Sequence, residues 1–353
     1  MGSKELSSDI IYDILTRTKS LKTLDICKCI CKEWKQITYE SSFMPLYCKR
    51  SNNLSGYYIQ GIRFGHIYLS KFICFEQSLK DYNCAFGNLP SDVKILASCN
   101  QGILCCVKRT VRGDRYFAIK PATDQWQSLP SPKLRNRTIG VAIVVVSSSL
   151  FRYKIVRLYQ PHDVGHNKII CEIFDSNLWK WRETQGTQFS PNEFILGHNP
   201  AISIGNRIHW LINKNDVLTF DESNHSFNKF SSPNSFSKNE LNQLVDYEGR
   251  LGFVCLTDDD DLELWQKEST ENDLWTKKMA VKIKGLGQDL KYACAIGFYN
   301  AEIVFVKLYD KVVFYKLQDC SFFEVELDYS LRHANEIFQF RSDFEPVNLK
   351  GGV

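Results

Sequence analysis

Cys27, Cys29 and Cys31 place three thiols within five residues, and clustered thiolates are ligands that zinc favours. The spacing argues for packing instead. On a helix, positions i and i+4 share a face while i and i+2 point apart, and no histidine lies nearby. His162 and His166 stand four apart, but beside Pro161 and Gly165 in a loop without a companion carboxylate motif. The acidic run Asp258 to Asp261 invites calcium, yet it lacks the glycine-containing spacing of a calcium loop and reads as a solvated turn between two strands. No Gly-x-Ser-x-Gly, phosphate-binding loop, His-Glu-x-x-His or dinucleotide glycine motif occurs, and the seven histidines form no nucleophile–base pattern. The expectation is a binding protein with no catalytic residue, metal or cofactor.

Composition narrows the partners. Forty-four basic residues face 40 acidic ones, a net charge of +4, and +3 of that excess falls in the first 50 residues. No basic stripe of the kind that tracks nucleic acid is present. The longest apolar run, Val141 to Val146, is far short of the roughly 20 residues a membrane helix requires. The 13 cysteines are odd in number, and many sit in apolar runs: Cys105 and Cys106 in GILCCV, Cys255 in LGFVCL, Cys294 in YACAIGF. They read as small buried hydrophobes in a reducing compartment. The polar start, MGSKELSSD, lacks the apolar core of a secretory signal. These features together predict a soluble protein of the cytoplasm or nucleus.

The elements that must position any binding surface fall into two parts, residues 1–50 and 51–353. In the first part, Ile10, Ile11, Ile14 and Leu15 form a helical stripe that Ser7 or Ser8 can cap, with Asp9 in the first turn. A second short helix is expected after Ser20, with Leu21 and Leu24 facing inward. A third is expected through Ile30, Trp34 and Ile37. Beyond residue 55 the period changes to short β-branched and aromatic strands separated by polar turns, with no amphipathic helices between them.

Those strands recur as a larger unit. Each copy has a turn, an apolar strand, a second strand, a polar turn and a late aromatic residue. The aromatics are Trp126, Trp181, Phe227, Trp275 and Phe322, at steps of 55, 46, 48 and 47 residues. A four-stranded propeller blade takes roughly 40 to 50 residues. Strands at 57–76, completed by the C-terminal region around Phe338 to Leu349, are expected to supply a sixth blade that closes the ring. The fold class predicted is a small all-α module of three short helices plus an all-β, propeller-like domain of six blades. The recurrent aromatics read as structural, whereas Tyr57, Tyr58 and Trp210 fall outside that register and are freer to meet a ligand; Trp210, within a strand, reads first as core.

Both parts resemble a known family. LSSDIIYDILTRTKSLKTLDICKCICKEWKQI resembles an F-box, with Leu6, Ile14, Leu15, Leu24, Ile30, Cys31, Lys32 and Trp34 at matching positions. ILASCNQGILCC, KPATDQWQSLPSP, CEIFDSNLWKWRE, PAISIGNRIHWLI, EGRLGFVCLTDDDDLELW and AEIVFV resemble the kelch-like, propeller-type F-box-associated domain of plant F-box proteins. The family's two Leu-Pro pairs are absent: Ser7 and Ser8 replace the first, and Lys19 and Ser20 the second. Proline pre-sets φ at a helix start, so its loss loosens a turn without abolishing the helix.

The resemblance implies a substrate-recognition subunit of an SCF-type cullin–RING ubiquitin ligase. The helical module would bind a Skp-type adaptor, and through it a cullin and a RING protein, while the β domain holds a target protein. The adaptor-binding candidates are Leu6, Ile10, Ile14, Leu15, Leu24, Ile30, Cys31 and Trp34, with Ile30 and Trp34 reading first as module core. The alternative is an adaptor-independent propeller binding protein with a degenerate F-box. A propeller enzyme is a third class, which lacks a catalytic constellation.

Overall fold

The computed structural model describes residues 7–350 apart from 19–20, 39, 41–42, 44–45, 48–49, 51–53, 64–66, 76–88, 112, 133–136, 148–150, 162–166, 198, 214–215, 234–240, 258–260 and 269–273. Leu6, the pair His162 and His166, and Asp258 lie outside the described residues.

Three helices form the amino-terminal module: α1 (Ser8–Thr16), α2 (Leu21–Lys28) and α3 (Lys32–Ile37). Their apolar inward faces meet in one small core of Ile11, Leu15, Leu24, Ile37, Phe43 and Tyr47, with Tyr12, Cys27 and Trp34 packed at its edge. Ser7 occupies the N-cap of α1 with extended backbone but makes no side-chain cap bond. The third helix is shorter than its spacing suggested: Ile30 precedes it in the turn after α2, and Cys31 is its N-cap. The end of the module is tied back to its start, because the Arg50 guanidinium donates to Asp13 (2.7 Å) and to Thr16 Oγ1 (2.6 Å).

The β domain is a six-bladed propeller. Strands β1 (Leu54–Arg63) and β2 (Ile67–Ile73) begin the first blade. The second blade is β3 (Val93–Ser98), β4 (Leu104–Thr110), β5 (Gly113–Lys120) and β6 (Gln125–Ser128). The third is β7 (Arg137–Ser147), β8 (Arg152–Gln160), β9 (Lys168–Asp175) and β10 (Lys180–Gln188). The fourth is β11 (Ile202–Ile204), β12 (Arg207–Leu211), β13 (Asp216–Asp221) and β14 (Ser226–Ser231). The fifth is β15 (Asn242–Tyr247), β16 (Arg250–Leu256), β17 (Asp261–Lys267) and β18 (Trp275–Lys282). The sixth is β19 (Ala295–Phe298), β20 (Ile303–Lys307), β21 (Lys311–Lys316) and β22 (Phe322–Glu326). The last strand, β23 (Glu336–Ser342), returns to the first blade and pairs with β1, giving the order β2-β1-β23. Both ends of the chain therefore build one blade, as the sequence led us to expect, although the strand stops at Ser342 and the residues to Leu349 run on as a strap.

Burial peaks in the middle strands of the blades. The middle strands are almost continuously buried, as in β20 and β16, while outer strands such as β6 and β22 alternate. A strand covered on both faces needs apolar side chains on both, whereas an edge strand needs one apolar face. The late aromatics fall on the outermost strands β6, β10, β14, β18 and β22. Two of them stitch neighbouring blades: the Trp181 indole N–H donates to Pro130 O (2.7 Å) and that of Trp275 to Ser231 O (2.9 Å). Trp126 instead turns its N–H to Asp124 in its own β-turn at 3.3 Å. Tyr57 and Tyr58, expected to be available to a ligand, are core residues at 4% and 1% exposure. The β1 pleat sends Tyr58 against Phe72 and Phe340 within the first blade and stacks Tyr57 on Phe305 of the sixth.

The strap secures the closure. Gln125 exchanges two hydrogen bonds with the Val347 backbone (2.8 and 3.0 Å), and Tyr153 donates to Leu349 O (2.8 Å). Gly102, at φ +79° in the turn after β3, lies where a Cβ would collide with Ser342. The described cysteines are free thiols, and Cys105, Cys106, Cys171 and Cys255 are fully buried. Burial pushes the Cys105 thiol up to about 12, so it stays protonated and packs as a hydrophobe.

Candidate functional site

On the module, the apolar stripe of α1 splits in two. Ile11 and Leu15 are 3% and 0% exposed and belong to the core, whereas Ile10 and Ile14 are 49% and 43% exposed. On α2, Leu24 is buried and Ile26 faces out, and Ile30 after it is the most exposed of the set. Cys31 is exposed and Trp34 half-buried against the core. Of the candidates read from sequence, the structure thus places Leu15 and Leu24 inside the module and Ile10, Ile14, Ile30 and Cys31 on its surface. The assignment of Ile30 to the core is corrected: lying in the turn between α2 and α3, it has no helix to pack beneath. Ile26, which sequence reasoning passed over, joins the exposed group. Isolated surface apolar residues are ordinary, but four exposed isoleucines between residues 10 and 30 of one small module call for an explanation.

Electrostatics on the module are local. Asp13 holds a carboxyl below the usual carboxylate range through hydrogen bonds from Arg17 and Arg50. Ser8 Oγ–H donates to Glu33 (2.9 Å), linking α1 to α3. Cys27, partly buried, has its thiol pushed up by desolvation. Among the described residues no group of three His, Cys, Asp or Glu side chains converges as a metal site.

The module meets the propeller at the end where the innermost strands finish. Thr38 and Glu40 border a small cleft with Asp246, Glu248, Asn300 and Arg341. Burial raises the pKa of Asp246, opposed by Arg341, by the Gly249 N–H (2.9 Å) and by Lys28 and Lys35 of α2 and α3. These lysines put the module's positive charge over that end of the ring.

The opposite end of the propeller, where the innermost strands begin, carries the larger opening. A cavity of about 490 Å³ lies between β3, β7 and β23 and the connection into β11. That is within the roughly 300–1,000 Å³ typical of ligand pockets. Lys94, Arg109 and Arg137 line it with Asp114 and Glu336, and Lys94 is paired with Glu336 at 2.6 Å. Beneath the wall, Arg157 (2% exposed) bonds Glu172 at 2.6 Å and donates to Thr138 Oγ1 at 2.8 Å, fixing that part of β7. Two innermost strands bulge beside the cavity, between Ile95 and Ala97 and between Thr138 and Gly140. Bulges bend a strand and re-aim its side chains. At this end of the ring the facing ends of β1 and β2 expose Ile62 and Ile67, and connecting segments expose Val111, Phe194, Tyr309 and Tyr329. None of these residues carries a repeating signal, so their common end of the ring is legible only after it has closed.

The molecule is thus a six-bladed propeller with a three-helix module at one end, exposed isoleucines on that module and a charged opening at the far end. Residues 67–343 match the F-box associated beta propeller domain, and the chain belongs to that family. An F-box protein of Arabidopsis thaliana is 29% identical over 170 residues, covering 45% of this chain and 88% of its own length. A second F-box protein of that plant is 24% identical over 363 residues, covering 96% of this chain and 97% of its own. Among solved structures, a chain of a nidogen/laminin complex aligns with a TM-score of 0.48 at 10% identity, covering 82% of this chain and 98% of that one.

Proposed function

We propose that this chain is the substrate-recognition subunit of an SCF-type cullin–RING ubiquitin ligase, acting in the cytoplasm or nucleus. The family membership and similarity to plant F-box proteins support that reading, and one geometric observation carries it: exposed isoleucines on the helical module and a charged cavity lie at opposite ends of the molecule. The module, with Ile10, Ile14, Ile26, Ile30 and Cys31 outward, would dock on a Skp-type adaptor and so on a cullin and a RING protein. Leu15, Leu24 and Trp34 serve this surface by holding its helices together. The far end of the propeller would hold the target protein.

The chemistry then belongs to other subunits. Tethering a target near a ubiquitin-charged enzyme raises the effective concentration of its lysines and makes transfer nearly intramolecular. A rigid ring suits this role because the distance between its two surfaces is fixed.

A second reading, an adaptor-independent binding protein, is favoured by one feature: Ser7, the N-cap of α1, makes no side-chain cap bond, and no proline opens the helix. Co-expression of the full chain with a Skp-type adaptor separates the two. A stable one-to-one complex on gel filtration is expected; elution of the two proteins apart at micromolar concentration would favour the second reading.

A further inference from the structure

The connecting segments at the far end of the sixth blade are tied to one another. Between β18 and β19 the chain forms a short helical turn, Gly287–Tyr292. The Cys294 N–H then donates to Lys307 O (2.9 Å), and the Asp289 carboxylate pairs with Lys311 (3.1 Å), so this segment meets both sides of the β20–β21 turn. That turn in its own right meets the last connection, into β23. The Leu327 N–H donates to Asp310 O (2.8 Å), and the Tyr309 hydroxyl lies 3.3 Å from His333 Nε2. Beneath them Lys307 is 0% exposed, and its ammonium donates to Arg332 O at 2.7 Å. A buried charge is tolerated only where its hydrogen bonds are made, so this ammonium fixes the loop that supplies the carbonyl. The turn Tyr329–Leu331 packs on β1, where a Cβ on Gly61 would stand 3.1 Å from Ser330 O.

The fixed loops carry side chains that the core does not use. Tyr292 and Tyr329 are 68% and 75% exposed, Tyr309 is exposed between them in chain order, and Ile62 is exposed next to Gly61. The Arg332 guanidinium lies 5.6 Å from the centre of the Tyr329 ring. Among the described residues of 287–294, 308–310 and 327–335, Asp289 and Asp328 are paired with Lys311 and Lys71, which leaves Lys291 and Arg332 against one unpaired carboxylate, that of Asp310. Guanidinium and ammonium groups only donate, phenols also donate, and an ionised carboxylate only accepts. Tyrosine and arginine held in place are also the side chains that dominate protein interfaces. We propose that the far end of the sixth blade is the docking surface for an extended acidic segment of a target protein, its carboxylates meeting Arg332, Lys291 and the tyrosine hydroxyls while an apolar side chain lies among the rings. As the client surface of a ligase receptor this rests on the function proposed above; as a peptide-binding surface it does not.

The test uses the full-length chain and a phage-displayed library of random dodecapeptides. Selected peptides are expected to be rich in Asp and Glu around an aromatic or aliphatic residue. Synthesised with a fluorescent label, they should bind Tyr329→Ser/Arg332→Gln at least about tenfold more weakly than the parent chain, and binding to the parent should weaken as salt is added. Lys291→Gln/Tyr292→Ser, which alters two exposed side chains on a different connection, should lose binding in the same way. Both variants should melt with the parent, and the second keeps the test decisive where replacing the half-buried Arg332 disturbs its loop. No enrichment, enrichment of basic peptides, or parental affinity in both variants overturns the proposal. A loss confined to Arg137→Gln, in the far-end cavity, overturns it as well. Adaptor capture on the same preparation is scored separately: its failure removes the ligase role and leaves the peptide result standing, whereas peptide failure beside an intact adaptor complex removes this surface alone.

Discussion

Lys120, at the end of β5, and Asp343, the first residue after β23, form an ion pair whose side chains are 1% and 6% exposed. The pair joins the second blade to the strap that follows the last strand, so its two partners are 223 residues apart in the chain. Ring closure in this propeller depends on a contact that can form only once all six blades are in place.

Removing one partner strands the other charge in a site closed to water, which typically costs about 3–5 kcal/mol. Asp343→Ala should therefore lower the urea midpoint sharply. Lys120→Met combined with Asp343→Leu, which replaces the pair with apolar volume, should recover much of the loss. A double variant no more stable than Asp343→Ala would show that the pair acts through something other than uncompensated charge.

How far the architecture was legible follows from where its signals lie. The blade period was readable because each repeat ends in a tight polar turn followed by an aromatic residue, and both are local features. The closing blade, the first, was readable because two incomplete halves remained at the two ends of the repeat array. What was not readable is which side of a local stripe faces out. Ile10, Ile11, Ile14 and Leu15 form an apolar band too broad for one contact, and only the positions of α2 and α3 decide that Ile11 and Leu15 turn inward. The surroundings of Trp210 were hidden for another reason. Its neighbour Gly140 lies in a different blade, and the two come together only where β7 and β12 pack.

The indole bonds from Trp181 and Trp275 predict unequal roles for one repeated position. Trp181→Phe and Trp275→Phe each lose a bond to the preceding blade and should cost about 1 kcal/mol in chemical denaturation. Trp126→Phe, whose N–H reaches only Asp124 in its own exposed turn, should be close to neutral. Equal losses at all three sites would mean that ring packing, and not the inter-blade bond, sets the energy.

His209 gives the fold a pH dependence. Burial, reinforced by Arg207 and Lys267, lowers its pKa to about 3, and its ring bonds Thr219 at 2.7 Å. A folded pKa below the unfolded value of about 6.5 means that the unfolded chain binds the proton first as pH falls. Stability is therefore full above about pH 6.5 and declines toward the folded pKa, by an amount on the order of a few kcal/mol. Between pH 6.5 and 4.5 most carboxylates remain ionised, which isolates the histidine. His209→Gln should flatten the melting-temperature profile across that window, and an unchanged slope would assign the acid loss to other groups.

The module separates apolar residues that hold it together from apolar residues that it exposes. Leu24 is 1% exposed, so Leu24→Asp buries a charge in a core of few side chains and should unfold the module. Limited proteolysis should then cut the first 50 residues while the propeller survives. Ile14→Asp and Ile30→Asp alter side chains that are 43% and 59% exposed, and both variants should resist proteolysis like the parent. If these isoleucines are covered by the adaptor, each contributes up to about 1.5–3 kcal/mol of apolar burial, or roughly ten- to hundredfold in affinity. An Ile30→Asp chain that stays folded and binds the adaptor at parental strength would move the docking surface away from this face, since no other side chain of the group projects further into solvent.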